Sequence, residues 1–324
     1  MNKFILKISA FSLIIFAFIV YFGSFMASNP DDYLAILIDK HKIAEKINVP
    51  KIILVGGSNF AFGIDTKALS ENLGTPVANM GLRAELGVDF MLNEAKSIMK
   101  KNDMVILSFE YFLDLEGDYA LKKRVSNVFP KAKTFYQKNN ALELQAYLTN
   151  AQENYKYFIY QIQYFTLQKA KNILGKNGSN NQKTHIYSRK AANNYGDMVA
   201  HLEEKSPENL ETEPVLKYKY WSAISAINKF YEYAQKQQIK VFFVYPCYSK
   251  SAFEQSKTAI SLLERDLKNN LKIPVLGTPT QFIYPNTYFF DIHYHLTKQG
   301  RTKRTEDMSK IIKDFALNTL SKPI

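Results

Sequence analysis

Three short apolar runs set the architecture this chain can adopt: Lys51 to Gly56 (KIILVG), Asp103 to Phe109 (DMVILSF) and Ile239 to Tyr245 (IKVFFVY). Runs of this length, rich in aliphatic and aromatic residues, read as strands buried on both faces of a sheet. Helical periodicity precedes each of them, at Asp31 to Ile47, Ala84 to Lys101 and Val215 to Lys236. Pro76 to Met80 and Thr287 to Phe290 are shorter strand candidates. Strands alternating with helices imply right-handed βαβ crossovers and a parallel sheet covered on both faces. The expected fold class is therefore α/β, a three-layer parallel sheet flanked by helices. In such sheets ligands bind beyond the carboxyl ends of the strands, where Gly57, Ser58, Glu110, Pro246 and Asp291 fall.

The 324 residues, 46% of them hydrophobic and 22% charged, are enough for one large α/β domain or a smaller one with an insertion, and they exclude wholesale disorder. The single cysteine, Cys247, excludes an internal disulfide, and no Cys/His cluster has zinc spacing. Following Pro246 at a strand end, Cys247 reads as a small buried hydrophobe rather than a nucleophile, having no base adjacent in sequence.

At the N-terminus, Ile8 to Met26 is nineteen residues without a charge. A helix needs about 20 apolar residues to cross a ~30 Å hydrocarbon core. Lys3 and Lys7 precede the run and Asp31 and Asp32 follow it, which puts the N-terminus in the cytoplasm and everything after about Ser28 outside. The rival reading is a cleaved signal peptide, with Met26, Ala27 and Ser28 as the small residues; the apolar run is longer than the usual ~7 to 15 residue signal core. Either way the working domain is exported, which disfavours nucleic acid as a partner.

Between about Ala120 and Glu213 the strand signal disappears. From Ala120 to Lys190 there are thirteen basic residues and two acidic ones, Glu143 and Glu153, so most of the chain's net charge of +12 is local to this stretch. It reads either as a solvated helical face or as a surface attracted to anionic lipid headgroups or an acidic glycan. Tyr157, Tyr160 and Tyr164, with Phe158, Ile162 and Phe165, recur at helical spacing, a pattern that suits a packing stripe more often than a sugar platform. Gly175 to Gln182 (GKNGSNNQ) has the composition of an exposed loop. The expected organisation is an anchor at 1–28, a first α/β segment at 29–119, a basic and mainly helical insertion at 120–213, and a second α/β segment at 214–324.

A serine nucleophile needs a base, a group to orient the base, and N–H donors for the oxyanion. Gly56-Gly57-Ser58-Asn59 follows the first strand directly, placing Ser58 at a strand-to-helix turn. Taken alone, Gly-Gly-Ser is an ordinary turn. Near the C-terminus, Asp291-Ile292-His293-Tyr294-His295-Leu296-Thr297-Lys298-Gln299-Gly300 brings an acid and two of the five histidines onto one segment before a final helix running to about Leu320. An Asp and a His in a loop are also, by themselves, more often structural.

Ser58 after the first strand, Asn79-Met80-Gly81 after the second, and Asp291 followed by His-Leu-Thr-x-x-Gly resemble the SGNH hydrolase (GDSL-like) superfamily, over about Lys51 to Phe109 and Ile239 to Leu317. With the N-terminal anchor, the pattern is similar to membrane-anchored SGNH-like proteins associated with cell-envelope polysaccharide acylation, including relatives of the teichoic-acid D-alanylation protein. The resemblance implies a flavodoxin-like sheet, Ser58 as nucleophile, His295 as general base and Asp291 as its orienting carboxylate, with the Ser58 and Gly81 N–H groups in the oxyanion hole. It implies no cofactor.

The chain departs from the family in three places. Asp291 stands two residues before His293 and four before His295, and the family's spacing falls between the two, so His293 is the competing base. Where the family has an oxyanion-donating asparagine after the third strand, this chain has Ser108-Phe109-Glu110-Tyr111. Glu110 then either carries a raised pKa or turns away to bind a substrate hydroxyl or Arg83, and Asn59 and Asn79 are the substitute donors. Phe62 also departs from the usual continuation after the serine.

The leading functional expectation is a membrane-tethered, exported serine esterase or O-acyltransferase acting on acyl groups of an envelope or exported polysaccharide. The resemblance implies a multispanning membrane acyltransferase partner as acyl donor. The alternative is a non-catalytic SGNH-like glycan-binding or scaffold protein of an envelope polysaccharide assembly complex, motivated by Glu110 and the basic insertion. A lipid-directed esterase is the third reading.

Overall fold

The computed structural model describes residues 2–25, 29–173, 185–210 and 214–320. The loop expected at Gly175 to Gln182 and the small residues Met26 to Ser28 lie outside them. Helix α1 (Asn2–Val20) runs into a π turn at Tyr21–Phe25, and α2 (Ile36–Lys46) leads to strand β1 (Ile52–Gly56). A short helix α3 (Ser58–Ala61), α4 (Thr66–Leu73), β2 (Val77–Asn79), α5 (Val88–Lys96) and β3 (Met104–Ser108) follow. Two helices of the basic stretch, α6 (Tyr119–Val128) and α7 (Glu143–Ile173), precede α8 (Ala223–Lys236) and β4 (Lys240–Val244). The chain then forms β5 (Tyr248–Ser249), α9 (Lys250–Asn270), β6 (Val275–Leu276), β7 (Ile283–Tyr284) and α10 (Lys298–Leu320).

The main sheet has five parallel strands in the order β2-β1-β3-β4-β6, and β5 and β7 pair separately. The chain moves one way from β1 to β2 and the other way from β2 onward. Right-handed crossovers therefore send the connecting helices to opposite faces. Consistent with this, α4 packs on α10 and α5 on α8. The direction reverses between β1 and β3, so the crevice beyond their carboxyl ends is the ligand position for such a sheet.

Burial explains why the apolar runs became the central strands. Ile53, Leu54, Val105, Ile106 and Leu107 are fully buried, each contributing about 1.5–3 kcal/mol of transfer free energy. At the amino end of these strands, Lys51 Nζ donates to Asp103 Oδ2 at 2.7 Å and the Lys51 N–H donates to Asp103 Oδ1 at 3.0 Å. This buried pair ties the start of β1 to the start of β3.

Three sequence expectations are corrected. Thr287 to Phe290 is not a strand: it holds a 3-10 turn (Asn286–Tyr288), and Phe289 meets Leu296 in an isolated antiparallel bridge. The fifth strand is instead β6, only two residues long, set at the sheet edge by pairing with Phe243 and Val244. The helix expected from Ala84 to Lys101 is broken at Gly87, whose φ of +83° suits glycine and separates a 3-10 turn (Ala84–Leu86) from α5. The helix expected from Val215 begins only at Ala223.

Helix α1 is long and apolar enough to cross a membrane, and its candidate span, Lys3–Ser24, is free of packing partners over most of its length. Only its last turn and the π turn pack, against α7. Phe22 lies 5.2 Å from the Tyr155 ring and 5.5 Å from the Phe158 ring, and Asn154 Nδ2 donates to the Phe22 carbonyl at 2.8 Å.

Candidate active site

Ser58 opens α3 immediately after β1, and Glu110 follows β3, so the topology brings both to the crevice between these strands. Gly57 makes the approach feasible. A Cβ there would sit 2.4 Å from Glu110 Oε2 and 2.5 Å from Oε1, closer than real contacts allow. Glu110 Oε1 accepts the Asn59 N–H at 2.9 Å and the Ser58 hydroxyl at 3.4 Å. Burial pushes the Glu110 carboxyl up from its ordinary value, opposed in part by the Asn59 hydrogen bonds and by the charge of His295. Its second oxygen, Oε2, is buried with no hydrogen-bond partner among the described residues.

His295 arrives from the loop before α10. Its Nδ1 lies 2.9 Å from Asp291 Oδ1 and 3.2 Å from the Tyr187 hydroxyl, which also donates to Asp291 Oδ2. Burial alone would raise the Asp291 carboxyl; the His295 hydrogen bond and charge, with help from Tyr187, outweigh it and hold it below its ordinary value. The imidazole stacks on Phe62, with centroids 4.2 Å apart and 16° between the planes. Its Nε2 has no hydrogen-bond partner among the described residues. An imidazole held by a carboxylate at Nδ1 with Nε2 unengaged is arranged to accept a proton.

Ser58, Glu110 and His295 line one cleft of about 1260 Å³. Its walls include Tyr33, Phe62, Arg83 and Tyr187, and Tyr157, Tyr160 and Tyr164 on α7. The aromatic stripe of α7 is therefore divided: Phe158 packs on Phe22, and the three tyrosines face the cleft. Cations in the walls are paired with carboxylates: Arg83 with Glu85, Arg124 with Asp32 and Glu153, Lys156 with Glu153, and Lys190 with Asp31. Arg83 thus serves Glu85, not Glu110.

The remaining sequence-selected residues lie elsewhere. The Gly81 N–H donates to Asn79 Oδ1 at 2.9 Å, and Asn79 Nδ2 donates to the Phe60 carbonyl and Asp197 Oδ1. Asn59 is fully buried, its Nδ2 bonded to the Ser108 carbonyl and its Oδ1 to Arg304. The expected oxyanion donors Gly81, Asn59 and Asn79 thus already satisfy buried partners, and none lines the cleft. The Ser58 N–H is the one donor of the original set not engaged by a described side chain. His293 is buried away from the cleft, with Nδ1 2.5 Å from the Ser249 hydroxyl. Cys247 is fully buried, donates to the Tyr294 carbonyl, and burial pushes its thiol up to about 11.

Tyr187 and Phe62 were not singled out as site residues by the sequence. Tyr187 comes from the basic stretch between β3 and β4, which is fastened over the site. Arg189 makes a two-pronged pair with Asp39 at 2.6 and 2.7 Å, the Met198 N–H donates to the Ala61 carbonyl, and His201 Nε2 lies 2.9 Å from the Leu296 carbonyl. Among the described residues, no group of three or more His, Cys, Asp or Glu side chains is arranged to hold a metal ion.

No family model matches the chain, and no curated protein matches it. Among solved structures, it is similar to a protein assigned to the G-D-S-L family of lipolytic proteins, from Desulfitobacterium hafniense DCB-2. That likeness has 12% identity and a TM-score of 0.36 and covers 81% of this chain and 99% of the other. An acetyl xylan esterase from the rumen bacterium Butyrivibrio proteoclasticus is similar at 9% identity with a TM-score of 0.32, covering 83% of this chain and 65% of the other. Likenesses this weak establish neither family nor activity. The chemistry rests on the side chains of this chain.

Proposed function

We propose that this protein is a membrane-tethered, exported serine esterase or O-acyltransferase of SGNH type, acting on acyl groups of a cell-envelope or exported polysaccharide. The observation that carries the reading is the meeting of Ser58 and the Asp291-supported His295 in one cleft, from positions more than two hundred residues apart. In the reaction, the Ser58 hydroxyl turns from Glu110 toward His295, whose Nε2 takes its proton as Oγ attacks the acyl carbonyl. The Ser58 N–H is the donor for the developing oxyanion. Collapse expels the alcohol, which receives the proton from His295 and leaves an acyl-serine. Water or a sugar hydroxyl then resolves this intermediate by the same route. Tyrosine rings in the cleft wall suit sugar faces, which supports a glycan over a simple lipid ester. A multispanning membrane acyltransferase would supply the acyl group for transfer.

The test is fluorophosphonate labelling of the full-length protein in detergent, with Ser58→Ala, His295→Ala and His293→Ala beside the wild type. Labelling lost with Ser58→Ala and His295→Ala, and kept with His293→Ala, supports the assignment. An unlabelled, well-folded wild type overturns it.

One observation favours a second reading, a non-catalytic glycan-binding or scaffold role. Ser58 donates to Glu110, and Gly81, Asn59 and Asn79 are committed to buried partners. In that case the cleft binds glycan with the same affinity whether residue 58 is serine or alanine, and no covalent adduct forms.

A further inference from the structure

Helix α7 has a second face that the cleft does not use. At about 100° of rotation per residue, Leu144, Leu148, Tyr155, Phe158, Ile162 and Phe165 fall on one side of the helix, and the cleft tyrosines Tyr157, Tyr160 and Tyr164 fall on nearly the opposite side. The first side is apolar and open: Leu148 is 43% exposed, Ile162 47% and Phe165 66%. Midway along this same side, Tyr155 and Phe158 seat the ring of Phe22, and the Tyr147 and Ser24 hydroxyls lie 2.9 Å apart. Helix α1 therefore ends on the apolar side of α7 and leaves it after a single turn. Its remaining length, including Phe11 and Phe16, is exposed.

The geometry points to α7 as an interfacial helix that lies flat on an anionic membrane surface, its Leu148, Ile162 and Phe165 side immersed among the lipid headgroups and upper acyl chains. The inference rests on α1 spanning the bilayer. A spanning helix that terminates on one side of α7 brings that side down to the lipid on either hand of the junction. Apolar side chains left exposed there are then buried in the boundary layer rather than in water. Charge suits the same occupant: Arg124, Lys156, Arg189 and Lys190 are paired with carboxylates, but the stretch from Ala120 to Lys190 still carries thirteen basic residues against two acidic ones. Lys169 continues the apolar side and is exposed, placed to extend its ammonium to the headgroups. A helix about 10–12 Å across then separates the lipid from the tyrosine wall, so the cleft works within one helix diameter of the membrane.

Site-directed nitroxides on the full chain, reconstituted in nanodiscs of phosphatidylcholine and phosphatidylglycerol, test this. Leu148→Cys, Ile162→Cys and Phe165→Cys each add one exposed cysteine, and the native Cys247 is fully buried. Tyr160→Cys reports the cleft side and Phe11→Cys the spanning helix. Labels at 148, 162 and 165 are expected to relax with membrane-partitioned oxygen in preference to an aqueous nickel chelate, and a label at 160 to show the reverse. Nickel preference at 148, 162 and 165 with oxygen preference at 11 overturns the inference while leaving the spanning helix intact. Nickel preference at 11 overturns the spanning helix itself. Shielding of 148, 162 and 165 from both relaxants means that a protein, either a second copy or a partner, covers the face, and also overturns the inference. Three independent positions keep the result readable if one variant misfolds.

Discussion

Glu110 holds Ser58: a carboxylate oxygen 3.4 Å from the serine hydroxyl also takes the N–H of the next residue, Asn59. The acid stands where the resemblance would place an oxyanion-donating amide, and it is buried. Its protonation state therefore controls whether the serine faces a charged or a neutral neighbour.

Glu110→Gln is expected to keep the Asn59 bond and remove the charge, raising fluorophosphonate labelling of Ser58 at neutral pH. Stability gives a second readout. Because burial raises the folded-state value of Glu110, its contribution is fully present below the ordinary glutamate pKa of about 4.3 and is lost as pH rises through the raised value. Melting temperatures of wild type and Glu110→Gln should therefore diverge as pH climbs above the ordinary carboxylate range, the wild type losing ground. Parallel curves would show that Glu110 is not strained by ionisation.

Gly57→Ala places a methyl group against the Glu110 carboxylate. The expected cost is about 1–3 kcal/mol, read from denaturant unfolding. Combining it with Glu110→Ala should recover part of the loss, because the two changes share one contact. Strict additivity would mean that the clash is with other atoms.

Tyr187→Phe removes the hydroxyl that donates to Asp291 and lies 3.2 Å from His295 Nδ1. A net hydrogen bond is worth about 1 kcal/mol, so labelling of Ser58 should slow about fivefold, with global stability little changed. Unchanged labelling would leave Tyr187 as a wall residue alone.

At the opposite end of the strands, Lys51→Ala leaves Asp103 as an unpaired buried charge. The expected loss is about 3–5 kcal/mol by chemical denaturation, with no specific effect on labelling per folded molecule. A loss under 1 kcal/mol would show that water reaches the carboxylate.

How far the sequence reached depends on the range of the physics involved. The central strands are legible because burial on both faces demands an unbroken apolar run, a local property that β1, β3 and β4 display within a few residues. Strand β6 is two residues long and exists only because Phe243 and Val244 offer it an edge, so nothing local announces it. Thr287 to Phe290 shows the converse: its aromatic residues look like a strand, but the fully buried Phe289 is placed by a turn and by Leu296 across a short loop. The sequence by itself determined an α/β chain with an apolar N-terminal helix and put Ser58, Glu110 and His295 at strand ends or before the last helix. Tertiary structure alone decided that Glu110 reaches Ser58, that His295 and not His293 enters the cleft, and that Tyr187 from the basic stretch closes on Asp291. Those outcomes depend on which surfaces pack together over separations of about fifty to more than two hundred residues, and neither periodicity nor spacing along the chain carries that information.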